Sequence, residues 1–200
     1  MRTNNEYTEA GKTHKVKPRP IKPITDREML QRVKQEAQKM GPQPYMLILI
    51  GLNTGLRISD ILPLTVGEFR RSDRLMIFEK KTGKFTEIKL PKMVISDVLR
   101  ATAKKRDEDL LFESRCFTKR GQPIDYITAY RWVKEACRRA GMDRFVGCHT
   151  LRKTYGYTMY RRHHDVGQLM EHFNHSSQDV TLRYIGISQQ NKDKWADEPV

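Results

Sequence analysis

Apolar residues recur at three- and four-residue spacing through most of the chain and alternate every second position in only one stretch, a pattern that predicts a mainly helical protein. Thr25-Asp26-Arg27-Glu28 has the form of a capping box with Thr25 as the cap. Met29, Leu30, Val33 and Ala37 follow at helical spacing, and Gly41-Pro42 ends that run. Residues 45–52 (YMLILIGL) are apolar nearly all round, as expected of a buried central helix. Asn53-Thr54-Gly55 closes it, and a short helix opens at residues 56–60. Residues 74–79 and 84–90 alternate as strands around Lys80-Lys81-Thr82-Gly83, a hairpin signal. Helical spacing resumes over 92–105, where Val94, Ile95, Val98 and Leu99 share a face. It continues from a cap at Asp125 through Ala140 to Gly141, then over 149–162, 165–173 and 178–185. The expected class is mainly α with a small antiparallel β-sheet (α+β). Residues 1–23, with basic residues and three prolines in KTHKVKPRPIKP, read as an extended arm. Residues 24–188 form the folded domain, and 189–200, carrying Trp195, form a tail.

Composition narrows the partner. In 200 residues, 38 Lys and Arg stand against 24 Asp and Glu, a net charge of +14 that points to a polyanion, nucleic acid first. With 38% hydrophobic residues the chain can build a core, which argues against wholesale disorder. No run approaches the roughly 18 apolar residues of a membrane span, and the N-terminus lacks the apolar segment of a secretory signal. A soluble intracellular protein is expected. Cys116, Cys137 and Cys148 are too scattered to suggest a disulfide framework or a zinc site. His163, His164, His172 and His175 cluster in sequence, but no carboxylate or cysteine completes a convincing ligand set, so no metal is expected.

Singly, the candidate reactive residues are unremarkable. Arg57 follows Thr54-Gly55-Leu56, Lys81 sits in the hairpin turn, His149 and Arg152 lie three apart on one helix face, and His175 precedes Tyr184 by nine positions. Taken in order, they resemble the catalytic domain of the tyrosine recombinases, the phage integrase family. The resemblance rests on Thr54-Gly55-Leu56-Arg57-Ile58-Ser59-Asp60-Ile61, Lys81-Thr82-Gly83, His149-Thr150-Leu151-Arg152, and Asn174-His175-Ser176-Ser177 running to Thr181-Leu182-Arg183-Tyr184. It covers roughly residues 20–190.

That resemblance implies a tyrosine recombinase catalytic-domain fold and cleavage of DNA by Tyr184 as nucleophile, giving a 3′-phosphotyrosyl link and a free 5′-hydroxyl. Arg57 and Arg152 would stabilise charge on the scissile phosphate, since each guanidinium donates in a fixed fork. His149 and His175 would hydrogen-bond the same phosphate or move protons. Lys81 would protonate the leaving oxygen, and Asp60 would orient the arginine and histidine side chains. The phosphotyrosine conserves the energy of the broken bond, so no cofactor and no metal is implied. The implied partners are double-stranded DNA and three further copies, a homo-tetramer on two duplexes, with the tail exchanged between protomers and no membrane. The implied location is the cytoplasm of a bacterium, encoded there or by a phage. Among the cations, Arg131, Lys134, Arg138 and Arg139 recur on one helix and are candidates for groove contact.

Two departures from the family pattern stand out. Phe173-Asn174-His175 replaces the usual Leu-Gly-His, although Asn tolerates the left-handed turn that glycine serves. Relatives also carry a helical core-binding domain of roughly a hundred residues, for which residues 1–23 are too short, so an excised catalytic domain or a minimal recombinase is expected. A type IB topoisomerase shares this kind of active site, and an integrase-like DNA-binding module without catalysis is the non-enzymatic alternative.

Overall fold

The computed structural model describes residues 6–9, 12–15, 21–78, 83, 85–142 and 144–187. Within the arm, β1 (Glu6–Glu9) and β2 (Lys12–Lys15) pair antiparallel, so the described chain holds a two-stranded ribbon besides the anticipated hairpin. Residues 21–24 then form a strap across the body. The Lys22 N–H donates to the Phe145 carbonyl at 2.9 Å, and the buried Ile24 N–H donates to Thr154 Oγ1 at 2.8 Å.

Helix α1 (Arg27–Met40) is capped by Asp26, whose carboxylate accepts the Met29 N–H at 2.6 Å, rather than by Thr25. Two neighbouring residues both suited to capping made that boundary ambiguous by one position. Pro42 does not simply stop α1. It occupies the first turn of α2 (Pro42–Thr54), where a missing N–H costs nothing, so the two helices abut. Helix α2 is buried on nearly every side and forms the centre of the main core.

Helices α3 (Ile58–Ile61) and α4 (Val66–Arg71) follow. The latter, six residues closed by the Thr65/Glu68 capping box, is too short to show periodicity in the sequence. Strands β3 (Arg74–Phe78) and β4 (Phe85–Lys89) pair with Leu75 opposite Ile88 and Phe78 opposite Phe85. Leu75, Ile77 and Ile88 face the core. Helices α5 (Lys92–Ala101) and α6 (Tyr126–Arg139), the latter capped by Asp125, complete the larger layer.

Helix α7 (Cys148–His163) packs against α2 and α6 on one side and against α8 (Val166–Phe173) and α9 (Gln178–Ile185) on the other. Among the described residues, two clusters of buried side chains result. The larger runs from Ile24 to Leu151, and the smaller contains Leu169, Phe173, Ile185 and Ile187. Gly156 lies where α7 meets the smaller cluster. A Cβ there would stand 2.6 Å from the Phe173 ring and 2.7 Å from the Ile185 side chain. No helix among the described residues is long and apolar enough to cross a membrane.

Candidate active site

The site is assembled from three turns. The first follows α2, which ends because Gly55 takes the left-handed conformation (φ 64°) and because any side chain there would press on the Tyr155 ring. The chain leaves in extended form at Arg57, the N-cap of α3, whose guanidinium-bearing side chain is half-buried between the core residues Leu56 and Ile58. Asp60, in the first turn of α3, is buried, and its Oδ1 accepts the Ser59 hydroxyl at 3.2 Å.

The second turn begins α7 at Gly147. His149 and Arg152, one helical turn apart, project to the same side, but their surroundings differ. His149 is exposed, whereas Arg152 is only 4% exposed. Arg152 Nη1 donates to the Gly55 carbonyl at 2.6 Å and Nη2 to the Phe173 carbonyl at 3.2 Å. Its Cζ lies 4.4 Å from the centre of the Phe173 ring. A single cation thereby ties the Arg57 turn to the end of α8.

The third turn joins α8 to α9. Asn174 occupies the left-handed region (φ 51°, ψ 51°), and the His175 N–H reaches back to the Met170 carbonyl at 2.9 Å. His175 Nδ1 meets Thr181 Oγ1 at 3.1 Å, and that hydroxyl donates to the Ser177 carbonyl at 3.2 Å. From this network the neutral His175 ring is assigned its proton on Nδ1 and its lone pair on Nε2. Tyr184, half-buried on α9, points back into the cluster. Its hydroxyl lies 3.2 Å from His149 Nδ1, and its ring stands edge-on to His175 at 5.0 Å between centroids.

Electrostatics within this cluster pull in opposite directions. Burial raises the Tyr184 phenol above its ordinary value, while Arg152 and Arg57 act to lower it. Burial prevails, so the phenol enters any reaction protonated and in need of a base. For His175, burial lowers the pKa, and Arg152 and Arg57 lower it further, so its neutral form is favoured. A second tyrosine, Tyr126, lines a cavity of about 180 Å³ with Arg57, Ser59, Cys148, His149 and Arg152. Burial and the Cys148 thiol push Tyr126 up to about 12, which keeps it a donor.

The structure therefore brings Arg57, Asp60, His149, Arg152, His175 and Tyr184 to one locale. Lys81 lies outside the described residues, as does the tail 189–200. On α6, Arg131, Lys134, Arg138 and Arg139 are all exposed, and the last two also pair with Glu135 at 2.8 Å. Of the clustered histidines, His172 donates from Nε2 to the Thr54 carbonyl at 2.8 Å, and His163 and His164 lie at the exposed end of α7. Among the described residues no group of three or more His, Cys, Asp or Glu side chains is placed to hold a metal ion. The sequence assigns no role to His172, Thr181 or Tyr126, because each meets a motif residue or its neighbour only in the fold: His172 the Thr54 carbonyl, Thr181 the His175 ring, and Tyr126 the Cys148 thiol beside His149.

The sequence profile of the phage integrase family matches residues 23–191. The probable integrase/recombinase YoeC of Bacillus subtilis is 38% identical over 169 residues, covering 84% of this chain and 91% of that protein. The tyrosine recombinase XerA of Pyrococcus furiosus is 25% identical over 187 residues, covering 92% of this chain and 64% of that protein. In fold, the chain matches XerH site-specific recombinase, solved bound to palindromic difH substrate as a post-cleavage complex, with a TM-score of 0.68 at 23% identity. The match covers 88% of this chain and 53% of that one. This chain thus spans nearly all of YoeC but only 64% of XerA and 53% of the XerH chain.

Proposed function

The chain belongs to the phage integrase family, and on that premise we propose that it breaks and rejoins double-stranded DNA in site-specific recombination, with Tyr184 as nucleophile. The observation that carries this reading is the Tyr184 hydroxyl, 3.2 Å from His149 Nδ1 and within the field of Arg57 and Arg152. In the forward step the Tyr184 oxygen bonds to phosphorus, its proton passes to an imidazole, and the bond from phosphorus to the 5′-oxygen breaks. The departing oxygen takes a proton, a role for Lys81 by family likeness. Rejoining runs the same steps in reverse. Arg57 and Arg152 neutralise the charge that develops on the nonbridging oxygens. His149 is the nearer base for the phenol, and neutral His175, with its lone pair on Nε2, is a second acceptor for the proton rather than a donor to the phosphate. Asp60 supports the Arg57 turn. Exposed Arg131 and Lys134 hold the duplex more directly than Arg138 and Arg139, whose charge Glu135 shares. Strand exchange calls for four copies on two duplexes.

A library of nicked suicide duplexes with a randomised core, resolved on denaturing gels, tests the reading. The expected result is a covalent protein–DNA adduct that disappears entirely in Tyr184→Phe. Binding without adduct anywhere in the library would overturn it in favour of a DNA-binding module. Relaxation of unrelated supercoiled plasmid without strand exchange would favour a topoisomerase.

A further inference from the structure

Lys153 follows Arg152 on α7 and also reaches Tyr184. Its ammonium lies 4.9 Å from the centre of the Tyr184 ring and donates to the Ile21 carbonyl at 2.8 Å, a partner 132 residues away in the chain. The side chain is half-buried, and that burial lowers its pKa, so it stands in a partly dehydrated place where a cation over an aromatic face is worth most. The strap that supplies the carbonyl is itself tied down on both sides. The next residue along α7, Thr154, accepts the Ile24 N–H, and Pro23 lies against Gly186 just past the end of α9. Residues 21–24 thereby touch the helix that carries the cations and the helix that carries the tyrosine, and Lys153 is the polar link among all three.

We propose that Lys153 is a positioning residue for Tyr184, holding the phenol ring over α7 with a cation whose own place is fixed by the strap. The reading rests on Tyr184 being the nucleophile. Because a cation over the ring favours phenolate over phenol, Lys153 also eases deprotonation of Tyr184. The titratable and charged groups that face Tyr184 among the described residues are Arg57 from the α3 turn, His149, Arg152 and Lys153 from α7, and His175 from the α8–α9 turn.

The test compares Lys153→Met and Lys153→Arg with the unchanged chain in two measurements. In the DNA-free protein, the Tyr184 ring carbons are followed by NMR as pH is raised. Lys153→Met should raise the tyrosine's titration midpoint and Lys153→Arg should lower it, since the lysine loses its charge in the same pH range and the arginine does not. In single-turnover cleavage of the captured duplex, Lys153→Met should still form adduct but about tenfold more slowly, with the rate recovering at higher pH and in Lys153→Arg. Unchanged titration and unchanged rate in Lys153→Met would overturn the proposal. So would a loss that Lys153→Arg and high pH both fail to recover, since that marks a merely structural role. Should the unchanged chain form no adduct, the reading of Tyr184 as nucleophile fails, while the NMR titration still decides whether Lys153 acts on the ring.

Discussion

The larger core wraps α2 on all sides and anchors Arg57 and Arg152 through their neighbours Leu56, Ile58 and Leu151, each of them buried. The smaller cluster, Leu169, Phe173, Ile185 and Ile187 among the described residues with a fringe of rings, carries Tyr184 and the His175 turn. The difference teaches how the two demands of phosphoryl transfer are met. Groups that stabilise charge must not move during the reaction, and here they stand on the well-packed part. Tyr184, which on the proposed reading must approach and then retreat for rejoining, stands on a part with fewer buried apolar residues among those described, and so a lower local opening free energy. Arg152 joins the two, with one carbonyl bonded on each side.

The largest expected effect comes from removing that joint. Arg152→Ala should lower single-turnover cleavage by about 10³-fold. It should also cost about 2–4 kcal/mol in urea unfolding, because the Gly55 and Phe173 carbonyls lose their donor. Arg57→Ala should slow cleavage comparably. A normal cleavage rate in either variant would remove that arginine from the reaction.

Next comes the seam. Gly156→Ala would put a methyl into the Phe173 and Ile185 side chains, neither of which has room to swing aside. Cleavage should fall by about 10²-fold as α9 shifts, for a loss of about 1–3 kcal/mol. Hydrogen exchange should speed up in α8 and α9 and stay unchanged in α2; acceleration spread evenly over both would mean that there is one core, not two.

The smallest effect is a matter of pH. His175 has a folded pKa below its ordinary 6.5, so it takes up a proton only as pH falls past that value. The acid limb of the cleavage profile should therefore lie below 6.5. His175→Asn should slow cleavage by about tenfold and displace that limb. A limb above 6.5 would place the titration elsewhere.

Much of this was legible in the order of residues, and the reason is physical. Thr54-Gly55-Leu56-Arg57 needs a glycine for the left-handed step, His149-Thr150-Leu151-Arg152 needs one helical turn, and both constraints are local. The family comparison adds the fold. What could not be read depends on partners far apart in the chain: His172 on Thr54, Lys153 on Ile21, and the carbonyls that fix Arg152. Periodicity likewise missed α4, whose six residues complete less than two turns, and it could not separate Thr25 from its neighbour Asp26 as the α1 cap, since both side chains can accept a backbone N–H.

The two carbonyl bonds of Arg152 also bear on how such a protein can age. A lineage that stopped cutting DNA would be free to lose Tyr184 at once, since α9 needs only its ring-sized filling. It would be slow to lose Arg152, because the arginine also closes the gap between two halves of the fold. Among descendants of this chain, a surviving arginine therefore testifies to folding, and a surviving tyrosine to chemistry.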